Sequence, residues 1–228
     1  MAKKIVKKTQ IKVDKNEAVE RIKKIYPILK KTYPDARVSL DFKTPLELLI
    51  STILAAQCTD VRVNIVAKDI YKKYRSAKDW AAADVSEIEN DIRSTGFYRN
   101  KAKAIKATAR KIIDEFGGEV PKTMDELLSL PGVGRKTANV LLGNAYGIPG
   151  IVTDTHVIRL SRRIGLSENS DPVKLEFDLM EIVPKKNWTL FSHLLVFHGR
   201  AICMARKPDC QHCPISKYCP SAFKPELW

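Results

Sequence analysis

The chain has 228 residues, and its 40 lysines and arginines outnumber its 26 aspartates and glutamates, for a formal net charge of +14. This balance favours a polyanionic partner such as nucleic acid, although an excess of surface lysine also produces it. Residues 1–15 are lysine-rich without a following apolar stretch, which excludes a signal peptide. The longest apolar stretch, residues 46–56, is too short to span a bilayer. We therefore expect a soluble cytoplasmic protein with no membrane partner, in which residues 1–15 form a disordered basic arm.

Helix signals follow along the rest of the chain, and no segment shows the alternation of a strand. Helix starts are marked by capping residues such as Thr44, Thr59 and Thr123, and helix ends by glycines such as Gly117 and Gly165. The predicted helices begin near Glu17 (with Pro27 expected to kink or shorten the helix) and continue as 45–56, 61–73, 99–116, 123–130, 135–146, 155–164, one from Pro172, and 187–204. The sequence thus predicts an all-α protein of about ten short helices.

The segment Leu130–Thr137, Leu-Pro-Gly-Val-Gly-Arg-Lys-Thr, predicts a hairpin between two helices. Glycine permits close backbone approach, so the amides of Gly132, Gly134 and Arg135 can face one phosphate oxygen. The positive end of the following helix dipole lies at the same place. An ordinary helix corner is the alternative. Arg135 and Lys136 favour the phosphate site, because cations in a first turn oppose the dipole unless an anion binds there.

Lys136 and Asp154 are the candidate catalytic pair. A helix N-terminus disfavours the ammonium form of Lys136 and so favours a nucleophilic amine, although pairing with a phosphate is the commoner role of a lysine. Asp154 is placed to cap the next helix. Helix 135–146 rises about 17 Å and the connection 147–153 extends about 23 Å, so Asp154 can return to the end where Lys136 lies. A lysine with a carboxylate in reach can form an imine and move protons.

A second group of chemistry-bearing residues lies near the C-terminus, as the array C-x6-C-x2-C-x5-C. Clustered cysteines in a reducing compartment favour a metal centre over disulfides. Four thiolates suit either zinc or an iron–sulfur cluster, and His212 offers a substitute ligand. The candidate ligands are Cys203, Cys210, Cys213 and Cys219.

Together these motifs resemble the endonuclease III family of helix-hairpin-helix DNA glycosylases, over about Asp41–Cys219. The resemblance rests on the order and spacing of the hairpin, the aspartate motif and the cysteine array. The matching segments are Leu130–Ala138, Thr153–His156, the cysteine array, Ala56–Asp60, Thr95–Tyr98 and His198–Arg200.

The resemblance implies two α-helical domains with a DNA-binding cleft between them. One is a six-helix domain that contains the helix-hairpin-helix, and the other carries a [4Fe–4S] cluster on the four clustered cysteines. The implied boundaries are 38–148 for the first domain, 16–37 plus 149–222 for the second, and 223–228 for a C-terminal tail.

The resemblance also implies residue roles. Lys136 attacks C1′ of the damaged nucleoside, and Asp154 assists base release and proton transfer. Gln57 fills the gap left by the flipped nucleotide, while Phe97 is the opposing apolar wedge. The cysteine loop supplies Arg206 and Lys207 to the phosphates. The alternatives are a capping role for Gln57, a core position for Phe97 and solvated charges for the two cations.

The implied function is that of a bifunctional glycosylase and abasic-site lyase, which removes oxidised pyrimidines from duplex DNA in base excision repair and breaks the strand by β-elimination. We expect a monomer associated with the nucleoid. One alternative is a monofunctional mismatch glycosylase acting on thymine, uracil or adenine, although such relatives usually lack a lysine at position 136. The other is a non-catalytic DNA-binding module with a zinc or redox centre.

Overall fold

The computed structural model describes residues 11–227, which contain α-helices and short 3-10 turns but no β-strand. This confirms the all-α prediction. Within that range no helix combines the length and apolar character needed to cross a membrane. The α-helices are α1 (Lys15–Thr32), α2 (Pro45–Leu54), α3 (Asp60–Lys73), α4 (Ala77–Ala82), α5 (Val85–Asp91), α6 (Tyr98–Phe116), α7 (Met124–Leu128), α8 (Arg135–Ala145), α9 (Thr155–Ile164), α10 (Pro172–Ile182) and α11 (Trp188–Ala201).

The chain divides into two compact units. One is Val38–Gly150, and the other joins the segment that ends at Arg37 to the segment that begins at Ile151. The first unit holds α2 to α8, which is seven helices where the resemblance implied six. Two of them, α4 and α5, fall where no helix was predicted. Each has seven residues or fewer, so neither shows the repeated apolar period on which the prediction depended.

The Val38–Gly150 unit is built around α2, whose apolar side chains are mostly buried. Thr44 caps this helix by accepting the amide of Glu47 at 3.2 Å, while the Glu47 carboxylate turns back to the amide of Lys43. The longest helix of this unit, α6, buries one face and ends at Gly117, which adopts the left-handed conformation with φ +63°. The C-terminus of α2 leads to Gln57, and the start of α6 follows Phe97. Both ends therefore position predicted site residues.

The second unit packs α1 against α10 and α11, and α9 against α11. The helix α1 runs through Pro27 to Thr32, so Pro27 does not shorten it, and the alternative prediction of a kink stays a prediction. Pro27 lies on the exposed face, while Ile25 and Leu29 on either side of it are fully buried and hold the helix.

The N-terminal boundary also differs from the predicted one. Residues 1–10 of the predicted basic arm lie outside the described residues. Asp14 caps α1 by accepting the amide of Glu17 at 3.0 Å, and Lys15, the last residue of the predicted arm, is the first residue of α1.

Candidate functional site

The predicted hairpin joins α7 to α8 and is held against α6. Thr108 of α6 donates a hydrogen bond to the carbonyl of Pro131 at 2.6 Å. Gly132 has φ +76°, and a Cβ added there would lie 3.1 Å from the Cβ of Ala104, also on α6. Both the backbone conformation and the close packing therefore favour glycine at position 132. Together these contacts fix the conformation of the turn.

The start of α8 has the features of an anion site. Gly134 is its N-cap residue, with an extended φ of −101°, and has no side chain to accept the first helical amides. Arg135 and Lys136 are the first two residues of the helix; Arg135 is half-buried and Lys136 is exposed. The positive end of the α8 dipole lies at these two residues.

Gln57 and Phe97 share an unusual backbone conformation. Their φ angles are +54° and +48°, although neither is glycine. Both side chains are exposed, and at 62% exposure Phe97 is not a core residue. The alternative that placed it in the core is therefore wrong. Gln57, Phe97 and Gly132 line the same pocket of the Val38–Gly150 unit, so three predicted site residues are brought together there.

Asp154 occupies the N-cap of α9. Its Oδ1 accepts the amide of Val157 at 2.8 Å, so the capping role weighed from sequence is present, and this bond does not use Oδ2. His193 of α11 lies in its electrostatic field: burial lowers the pKa of this imidazole to about 4, against the opposing effect of Asp154. Burial also lowers the pKa of His156. For both imidazoles burial favours the uncharged form, and the Asp154 carboxylate acts in the opposite direction.

The four clustered cysteines line one cavity, which also includes Arg163 and His198. None of them forms a disulfide. Arg163 donates to the Cys203 sulfur at 3.5 Å, and the His198 Nε2 lies 3.5 Å from the Cys213 sulfur. In residues 11–227 no three His, Cys, Asp or Glu side chains are placed to hold a single ion. A cavity lined by four thiols, with the Arg163 N–H directed at one sulfur and an imidazole nitrogen beside another, fits an iron–sulfur cluster.

His212 does not line this cavity. Its side chain is 73% exposed, and its Nδ1 pairs with Asp209 at 2.8 Å. The alternative prediction that His212 is a substitute ligand is therefore wrong.

The loop that follows Cys203 presents two cations to solvent. Arg163 donates to the carbonyls of Met204 and Ala205, at 2.7 and 2.6 Å. The amide of Asp209 closes the loop on the carbonyl of Ile202 at 3.0 Å. The predicted phosphate-binding residues of this loop, Arg206 and Lys207, are both exposed. The buried guanidinium of Arg163 thus links the cysteine cavity to the loop that carries them.

Matches to two protein-family models identify the class of protein. The model of the HhH-GPD superfamily of base excision DNA repair proteins matches residues 50–185, which include the hairpin, Lys136 and Asp154. The model of the iron–sulfur binding domain of endonuclease III matches residues 203–219, which span the four cysteines. The second match confirms the expectation of a [4Fe–4S] cluster.

Individual relatives narrow the assignment from the superfamily to one family. Endonuclease III of Synechocystis sp. is 53% identical over 89% of this chain and 93% of its own length. A solved non-covalent endonuclease III–DNA complex has a TM-score of 0.86 and 43% identity over 90% of this chain and 97% of the other. A trapped covalent endonuclease III–DNA intermediate, described as an estranged-adenine complex, gives the same values. The chain therefore belongs to the endonuclease III family of the HhH-GPD superfamily, as its motifs indicated.

Proposed function

We propose that this protein is a bifunctional DNA glycosylase and abasic-site lyase that removes oxidised pyrimidines from duplex DNA in base excision repair. The observation that carries the proposal is the exposed Lys136 at the start of α8, directly after the anion-binding features of the hairpin. A relative captured as a covalent intermediate with DNA supports the same chemistry. Lys136 also favours this activity over that of monofunctional mismatch glycosylases.

In the proposed reaction the neutral amine of Lys136 attacks C1′ of the damaged nucleoside. The C1′–N bond to the base breaks, and its electron pair leaves with the base, which takes up a proton. The C1′–O4′ bond of the resulting aminal then opens, with a proton passing to O4′, and an imine forms. The imine acidifies the C2′ proton, whose removal drives β-elimination of the C3′–O bond and breaks the strand on the 3′ side. Water then hydrolyses the imine and frees Lys136. Asp154 assists base departure and the proton transfers through Oδ2, the oxygen that the helix cap does not use.

Other residues hold the substrate. The amides of Gly132, Gly134 and Arg135 bind phosphate oxygens without reading sequence. Gln57 fills the space left by the flipped nucleotide, and Phe97 is the apolar wedge beside it.

The cysteine loop adds Arg206 and Lys207 to the phosphate contacts. The cluster, held by Cys203, Cys210, Cys213 and Cys219, supplies a cross-link that organises this loop. We propose that the protein acts as a monomer on nucleoid DNA.

Borohydride trapping on an abasic duplex tests the nucleophile. Wild-type protein should nick the duplex and, when borohydride is present, become covalently linked to it. Lys136→Gln should abolish both while duplex binding survives, since the backbone amides are unchanged. Asp154→Asn should keep the fold, because asparagine also caps helices, yet slow turnover strongly. The matched control is Lys72→Gln, which removes an exposed lysine of α3 that pairs with Asp69.

The outcomes separate the alternatives. Trapping by Lys136→Gln at the wild-type rate would show that another residue is the nucleophile. Binding without any nicking by the wild type would indicate a non-catalytic DNA-binding module. A panel of duplexes with oxidised pyrimidines and with mismatched thymine or adenine defines the substrate, and release of mismatched bases alone would contradict the proposed specificity.

A further inference from the structure

Lys101 is a buried lysine that the sequence motifs do not include. It lies in the first turn of α6 and is only 5% exposed. Burial lowers the pKa of its ammonium, while the nearby Cys58 acts in the opposite direction. The positive end of the α6 dipole also disfavours a cation here. A lysine at such a position requires strong hydrogen-bond acceptors.

Two backbone carbonyls are those acceptors. The Lys101 Nζ donates to the carbonyl of Leu54 at 2.7 Å and to the carbonyl of Thr95 at 2.8 Å. Leu54 is the last residue of α2, where helical carbonyls lack an amide partner in the next turn. The amide four residues on, that of Cys58, bonds instead to Ala55. The ammonium thus stabilises the C-terminus of α2 and joins it to a second segment.

The two joined segments carry the two strained residues. Leu54 precedes Gln57 by three residues, and Thr95 precedes Phe97 by two. Left-handed conformations of non-glycine residues persist when the surrounding structure holds them in place. Lys101 also lines the pocket that contains both Gln57 and Phe97. One buried ammonium therefore connects the backbones that lead to both residues.

We infer that Lys101 is a positioning residue, which holds Gln57 and Phe97 at the separation and backbone angles needed to open the base stack at a lesion. The inference rests on the proposed function, in which these two residues enter the duplex. Lys101 itself does not contact DNA. Replacing Lys101 therefore weakens recognition of the lesion and leaves the phosphate contacts of the hairpin and the cysteine loop in place.

The substitution Lys101→Met tests this inference, because methionine keeps an unbranched apolar side chain and removes the ammonium. The matched control is Lys106→Met, which makes the same change on α6 at a lysine that donates to the carbonyl of Ala83 at 2.6 Å. The probe is a duplex with an uncleavable tetrahydrofuran abasic analogue opposite 2-aminopurine. The fluorescence of 2-aminopurine rises when the base loses its stacking partners. Thermal unfolding of each variant is measured alongside.

We expect Lys101→Met to lose most of the fluorescence rise and to bind the abasic duplex about tenfold more weakly, as loss of one charged hydrogen-bonding group would produce. Its affinity for an undamaged duplex should equal that of the wild type. Lys106→Met should match the wild type in the fluorescence rise and in the affinity for both duplexes. A full fluorescence rise in folded Lys101→Met would overturn the inference, as would an equal loss of affinity for both duplexes.

A second variant keeps the test decisive if Lys101→Met does not fold. Lys101→Arg keeps the charge and the donors but not the shape of the ammonium, and it is combined with Gln57→Ala in a double-mutant cycle. Non-additive losses of abasic-duplex affinity support the inference, and additive losses overturn it. Neither duplex used for binding can be cleaved, so these results are separate from the lyase assay. If the wild type nicks an abasic duplex but neither Lys101 variant changes the fluorescence or the affinity for the abasic duplex, this inference is overturned and the proposed function stands.

Discussion

Replacing Gly132 by alanine would test the structure of the hairpin directly. Gly132 has φ +76°, and an added Cβ would lie 3.1 Å from the Cβ of Ala104. The added methyl group therefore faces a side chain that has no flexible end to move away. Gly134, two residues on, has an extended φ of −101° and no heavy atom within 4 Å of an added Cβ. The two glycines form a matched pair in a single turn.

The expected loss follows from these two features. A left-handed conformation disfavours an L-residue by about 1–2 kcal/mol, and the close contact adds to it. Alanine recovers about 0.4–1 kcal/mol by restricting the unfolded chain. We expect Gly132→Ala to lower the free energy of unfolding by about 1–3 kcal/mol, with a fall in the unfolding midpoint of about 2–4 °C for each kcal/mol. For Gly134→Ala the restricted unfolded chain offsets the weaker N-cap, and the net change should stay within about 0.5 kcal/mol.

Thermal unfolding and duplex affinity measure the two consequences. The displaced hairpin amides should weaken binding of Gly132→Ala to damaged and undamaged duplexes alike, by about tenfold. Equal unfolding midpoints for Gly132→Ala and Gly134→Ala would refute the structural argument. Wild-type affinity in a destabilised Gly132→Ala would instead refute the assignment of the hairpin amides to phosphate.

Three further predictions concern the cysteine loop, the cluster and pH. Lys207→Ala should weaken binding to damaged and undamaged duplexes equally and lower the slope of log affinity against log salt by up to about one unit; a loss confined to one lesion would show that Lys207 reads the base. The purified protein should be yellow-brown with broad absorption near the blue end and should lose its colour when iron is removed, whereas stoichiometric zinc without sulfide, found by elemental analysis, would contradict the cluster. His193 has a folded pKa of about 4 against an ordinary value of 6.5, so its stabilising effect is complete above about pH 6.5 and is lost as the pH falls towards 4. In urea denaturation His193 by itself should make the free energy of unfolding fall by up to about 1.4 kcal/mol per pH unit in that window, and His193→Gln should reduce the observed slope accordingly; an unchanged slope would exclude His193 as a source.

The sequence by itself determined most helix limits and the family. Thr59 caps α3, Asp154 caps α9, and Gly165 ends α9 in the left-handed conformation, as their residue types predicted. These signals act within about four residues, so they can be recognised without the fold. The hairpin and the cysteine array are equally local in sequence, and they indicated both the family and its cofactor.

Tertiary structure decided what depends on distant residues. Pro27 is tolerated within α1 because it lies on the exposed face of the helix, while Ile25 and Leu29 on the opposite face are buried and hold the helix in place. Lys101 lies on the apolar stripe of α6, four residues before the buried Ile105, and this is the only sequence signal that it is buried. Its acceptor at Leu54 is 47 residues away. Likewise, nothing near Asp154 in the sequence indicates that the half-buried His193 lies in its electrostatic field. Local patterns specify the helices, but only the packing of the helices determines which carbonyl accepts a hydrogen bond from a buried ammonium and which imidazole is desolvated.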